Sequence, residues 1–170
     1  QEKEPLLSSA CLFMLKRQKK KSNIEFDFEE ICMYKIMIAD DEPIVLDSLK
    51  TFPWSDHQCC VTCFAENGLN ALHTLESEKV DILISDIRMP GMNGLELSKA
   101  VKERFPETEI ILLTGYAEFE YAKQALSLGI RQYLLKPFRF EDIESALLSC
   151  IHSLDNLESR RRQQTYIQEK

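Results

Sequence analysis

Five residues have the types and spacing for chemistry: Asp40 and Asp41 in IMIADDEP, Asp86 in ILISDIRMPGMNG, Thr114 in IILLTG, and Lys136 in YLLKPF. Each closes a short apolar run. Three carboxylates gathered in a partly desolvated cleft repel one another, and burying them unpaired is costly. A divalent cation and one lysine relieve that repulsion. An all-oxygen donor set with few carboxylates favours Mg²⁺, which keeps some of its waters and shares phosphate oxygens. The combination suits phosphoryl transfer to a carboxylate. One Asp attacks, the metal neutralises phosphoryl oxygens, and a lysine and a hydroxyl bind the others. Asp86 is the natural nucleophile, because it enters a loop that Pro90, Gly91 and Gly94 tighten. Asp40 and Asp41 suit the metal.

For these residues to meet, the apolar runs must be neighbouring strands. Runs at 35–39, 60–65, 82–85, 110–113 and 132–135 are rich in Ile, Val and Leu and nearly continuous, as in parallel strands covered on both faces. Between them apolar residues recur at helical spacing: Ile44, Val45, Leu49 and Phe52; Leu69, Leu72 and Leu75; Leu97, Ala100, Val101 and Phe105; Phe119, Ala122, Ala125 and Leu126. Pro43 suits a helix start, Pro106 a helix end, and Gly129 a left-handed cap. Five β–α units over about 33–158 predict an α/β fold, a doubly wound five-stranded parallel sheet. Right-handed crossovers then set all five strand ends on one edge, where ligands bind in open α/β sheets.

Charge divides the 170 residues in three. Residues 1–32 carry six basic and six acidic side chains, 33–158 eleven and twenty-one, and 159–170 four and one. An acidic centre and a net charge of −7 argue against a nucleic-acid surface in the folded part. The longest apolar stretch, PLLSSACLFML, is about half of what a membrane span needs. It precedes its basic cluster, the wrong order for a secretory signal. The leader 1–32 is left without a role and is a candidate non-native segment, with Met33 as a candidate native start. Six cysteines with no secretory signal are expected to be reduced thiols, and His57, Cys60 and Cys63 lack the second ligand pair of a structural zinc site. The last helix is expected to continue from Phe140 through Leu147, Cys150, Leu154 and Leu157, spaced like a short coiled-coil seam.

Together IMIADDEP, ILISDIRMPGMNGLEL, IILLTGY and YLLKPF resemble the receiver domain of a bacterial two-component response regulator. The resemblance covers about 33–150. It implies a flavodoxin-like sheet of order 2-1-3-4-5. It also implies that Asp86 accepts a phosphoryl group from a sensor histidine kinase, and that Lys136 and Thr114 contact that group. Asp40, Asp41, Asp86 and the backbone carbonyl of Arg88 would hold Mg²⁺. Thr114 and the aromatic Tyr133 would switch position on phosphorylation, biasing one of two packings. The family implies no enzyme beyond Mg²⁺-dependent self-phosphorylation and autodephosphorylation, and a cytoplasmic location with no membrane contact.

TFPW, AENGLNAL and TGYAEFEYAKQAL are similar to receivers joined to AraC-type DNA-binding domains. On that likeness, 151–170 is expected to be a helical linker towards an output domain missing from these residues, and DNA is contacted only through that domain. Self-association is expected through the face of the fourth helix, fifth strand and fifth helix, or through the C-terminal helix. The alternative is a stand-alone phosphorelay receiver acting through protein–protein contacts. A haloacid-dehalogenase-type phosphatase would need an acid where Arg88 stands, and a nucleotide binder would need a glycine-rich phosphate loop. Neither is present.

Overall fold

In the computed structural model, which describes residues 33–115, 119–130 and 132–168, the five apolar runs are strands. They are β1 (Tyr34–Ala39), β2 (Cys59–Ala65), β3 (Ile82–Asp86), β4 (Glu109–Thr114) and β5 (Gln132–Leu135). Between and after them lie α1 (Pro43–Lys50), α2 (Gly68–Ser77), α3 (Gly94–Arg104), α4 (Phe119–Ser127) and α5 (Phe140–Gln168). All neighbouring strands pair in parallel, in the order β2-β1-β3-β4-β5. The fold is the doubly wound parallel sheet that the pattern predicts, in the flavodoxin-like order that the resemblance implies.

Strand periodicity distributes the core. Ile36, Ile38, Ile82, Ile84, Ile111 and Leu113 face α1 and α5, where Leu46, Leu49, Ile143, Ala146 and Leu147 meet them. Met37, Leu83, Ile110 and Leu112 point the other way, onto α2, α3 and α4. Coverage of both faces is why the runs are continuously apolar rather than alternating. The TFPW turn leads into a short 3₁₀ helix, Trp54–His57, and its indole N–H donates to the Leu49 carbonyl at 2.8 Å.

Helix register departs from the expected stripes in places. Ile44, Leu69 and Leu126 are exposed, and Leu46 and Ala71 take core positions instead. Ile44 and Leu69 occupy first turns, and the residues that pack on the core follow within the next turn, at Leu46 and Leu49 in α1 and at Ala71 and Leu72 in α2. The leader 1–32 and the side chains of Phe119 and Ala122 lie outside the described residues. Cys59, Cys63 and Cys150 are free thiols, as expected, whereas Cys60 is disulfide-bonded. Cys60 sits half-exposed on β2, the outer strand of the sheet.

α5 is one helix of 29 residues. The first half of its seam faces inward: Leu147 and Cys150 are core, Leu154 packs against them, and Leu157 is exposed. The reason is that α5 lies against β4 and β5, which take up the face a partner would use. Its later turns run along the amino-terminal edge of the sheet, where Tyr34 donates to Asp155 and Ser153 to Glu109. There Leu154 and Leu157 help line a cavity of about 870 Å³, at the far end of the sheet from Asp86. Leu154→Lys is expected to cost about 1–2 kcal/mol in urea unfolding, whereas Leu157→Lys stays within about 0.5 kcal/mol. A lowered dimer fraction for Leu157→Lys in light scattering would mark the exposed end as a pairing surface.

Candidate functional site

Asp40 stands one residue beyond β1, fully buried, its N–H donating to the Ala65 carbonyl of β2 at 3.0 Å. One of its oxygens, Oδ1, accepts the Glu42 N–H at 2.9 Å. Pro43 opens α1 at once, where a missing N–H costs nothing. Asp86 is the last residue of β3 and is buried. Its Oδ2 accepts the Arg88 N–H at 2.7 Å, and the Ile87 N–H donates to Leu113 at 2.9 Å.

The loop that holds Asp86 is tightened from below. Gly91 takes φ +75°, which glycine adopts at little cost. Asn93 then starts α3 with a capping box: its side chain accepts the Leu95 and Glu96 N–H groups, and the Glu96 carboxylate accepts its own N–H. Gly94 N–H donates to the Ile87 carbonyl at 2.9 Å, pressing the start of α3 against the end of β3.

Lys136 follows β5, and its N–H donates to the Thr114 carbonyl at 2.6 Å. The Lys136–Pro137 peptide bond is cis. Its Nζ reaches Asp40 Oδ2 at 2.7 Å, Asp86 Oδ1 at 2.8 Å and Glu42 Oε1 at 2.9 Å. Burial pushes the Asp40 and Asp86 carboxyls above the usual carboxylate range, and Lys136 pulls against that shift in both. Burial alone would lower the Lys136 pKa, but its three carboxylate partners outweigh it and hold the ammonium above the ordinary lysine value. The cluster is thus electrostatically loaded, with two buried acids sharing one cation.

The remaining expected residues fall around this cluster. Asp41 is exposed beside it, near enough for its charge to raise Asp86 further. Arg88 is exposed at the loop, and Thr114 is buried at the end of β4, one strand from Asp86. Tyr133 is half-buried in β5 opposite Leu112 and packs on the α2–α4 face of the core. Among the described residues, no group of three or more His, Cys, Asp or Glu side chains is arranged to hold a metal. The Lys136 ammonium lies between Asp40 and Asp86, and Asp41 points to solvent. Glu42 was not singled out by the sequence reading. Its signal was the third acid of the run Asp40–Asp41–Glu42, at the strand end and directly before Pro43.

Residues 36–148 match the family model of the response regulator receiver domain. The chain belongs to the response regulator receiver family. This receiver is 38% identical over 136 residues to the uncharacterized transcriptional regulatory protein YesN of Bacillus subtilis, covering 79% of this chain and 37% of that protein. It is 32% identical over 123 residues to the transcriptional regulatory protein HptR of Staphylococcus aureus, covering 72% and 48%. The chain thus spans less than half the length of these curated relatives. The REC domain of AraT, a response regulator of Geobacillus stearothermophilus, superposes with a TM-score of 0.67 at 34% identity over 75% of this chain and 98% of that one. A two-component transcriptional regulator AraC of Clostridium phytofermentans gives 0.67 at 28% identity, covering 72% and 96%. The receiver's role is phosphorelay signalling, and its relatives are transcriptional regulators. No described helix is long and apolar enough to cross a membrane.

Proposed function

We propose that this receiver accepts a phosphoryl group on Asp86 from the phosphohistidine of a sensor histidine kinase, in the cytoplasm, and passes the signal to a DNA-binding output domain. The observation that carries this reading is the joining of Asp40 and Asp86 through Lys136, at the carboxyl ends of β1, β3 and β5. In the transfer an Asp86 carboxylate oxygen attacks phosphorus, the phosphorus–nitrogen bond breaks, and the departing imidazole takes up a proton. Water later attacks the acyl phosphate, returning the carboxylate and inorganic phosphate.

The donor chemistry suits a hard cation: three carboxylates and a backbone carbonyl, all oxygen, with Asp40 and Asp86 buried and Asp41 and Arg88 exposed beside them. Asp40, Asp41, Asp86 and the Arg88 carbonyl would hold Mg²⁺, which when bound neutralises charge on the phosphoryl oxygens. Lys136 ion-pairs with one phosphoryl oxygen, and the Thr114 hydroxyl donates to another. The shift of Thr114 makes room for Tyr133 to move inward, altering the face of α4, β5 and α5. That face, or the exposed carboxyl end of α5 around Leu157, is where a second copy docks.

The test is intact-mass measurement after incubation with a small phosphodonor and Mg²⁺. One base-labile phosphoryl group is expected on the wild type and none on Asp86→Asn. An undiminished adduct on the variant would overturn the assignment.

A further inference from the structure

An ammonium has three N–H donors, and each donor of Lys136 has a carboxylate: Asp40 at 2.7 Å, Asp86 at 2.8 Å and Glu42 at 2.9 Å. The three partners are not equivalent. The Asp40 side chain is 0% exposed and that of Asp86 5%, but that of Glu42 is 55% exposed. A buried carboxylate stripped of its only cation bears the full cost of desolvation. A half-exposed one is simply rehydrated, and an exposed ion pair is weak. Glu42 is therefore the partner that Lys136 releases most easily.

We infer that Glu42 is a positioning residue that holds the place of the phosphoryl group: it occupies the third donor of Lys136 in the resting protein and gives it up when a phosphoryl oxygen arrives. The inference rests on the reading of Asp86 as the phosphoryl acceptor. Geometry supports the exchange in three ways. The Glu42 N–H is fixed to Asp40 Oδ1 at 2.9 Å, so its backbone stays at the site while its side chain swings out. Pro43 follows at the first turn of α1, locking the chain direction there. Glu42 makes no side-chain cap to α1, so its carboxylate leaves without unmaking the helix start. While it remains, Glu42 competes with an incoming anion for Lys136 and repels it.

The experiment titrates beryllofluoride, a phosphoryl mimic, against wild type and Glu42→Gln in Mg²⁺, with bound ligand followed by ¹⁹F NMR. The variant is expected to bind about two- to five-fold more tightly, the range of an exposed ion pair. The gap is expected to narrow at high salt, which screens such a pair and would not alter a packing effect. In the metal-free protein, the Lys136 ammonium protons are expected to exchange with water faster in Glu42→Gln, seen by ¹⁵N-lysine NMR. Thermal unfolding close to wild type would show that the variant folds. Equal affinities, or a gap indifferent to salt, would overturn the role of Glu42 while leaving Asp86 as acceptor. A wild type that binds no beryllofluoride would overturn the acceptor reading and this inference with it.

Discussion

Replacing Lys136 with Met is expected to destabilise the domain by about 3 kcal/mol at neutral pH, because it removes a cation that two buried carboxylates share. Asp40 and Asp86 already titrate above the usual range through burial, with Lys136 pulling them down. Without Lys136 both rise further. A carboxyl raised in the folded state contributes stability that is present below its unfolded pKa and lost as pH rises through its folded one. The variant's deficit is therefore greatest at neutral pH and shrinks on acidification, as the carboxyls take up protons. Lys136 itself is raised, so its stabilisation holds throughout this range and is lost only in strong alkali. Urea unfolding of both proteins at neutral and mildly acidic pH checks this. A deficit that does not change with pH would show that Met disturbs packing rather than charge.

Gly94→Ala is expected to cost about 3 kcal/mol, at the upper end of overpacking effects. A Cβ at this position would stand 2.1 Å from the Asp86 carbonyl oxygen and 2.9 Å from the Asp86 carbonyl carbon and the Ile87 Cα. All three are backbone atoms, so no side chain can rotate away. Relief requires moving the start of α3 off the end of β3, which also displaces the Asp86 carboxylate. Stability and phosphorylation should fall together. Gly115→Ala is the control, since its Cβ would meet nothing within 4 Å, and its stability should stay within about 0.5 kcal/mol. Thermal and urea unfolding of the pair distinguish the cases. A Gly94→Ala protein as stable as wild type would show that the β3–α3 junction is looser than its geometry implies.

Much of this architecture was legible because a parallel sheet covered on both faces writes itself as apolar runs. Ile82, Leu83, Ile84 and Ser85 are all buried and could hardly be anything but a central strand. Strand-end residues were legible for a related reason: Asp40, Asp86, Thr114 and Lys136 interrupt or close those runs, and topology alone brings them to one edge. Helix faces were less so. Ile44 and Leu69 look like core residues by spacing, yet they are exposed, and Leu46 and Ala71 are buried in their place. The seam through Leu147, Cys150, Leu154 and Leu157 was ambiguous because the same spacing serves a partner helix or the chain's own sheet. Only the position of α5 against β4 and β5 decides for its first half. Glu42 was hidden for another reason. Its place in the acidic run marks the strand end, but its partner Lys136 lies 94 residues away, and the run alone does not say which of its acids that lysine meets.

The central claim is that Asp86, among the clustered acids, carries the phosphoryl group. Borohydride reduction converts an aspartyl phosphate to homoserine, so the protein treated with phosphodonor and Mg²⁺, then reduced and digested, reveals the site by peptide mass. Homoserine at position 86 alone is the expected result. Homoserine at 40 or 41, or at none of the three, would contradict the account.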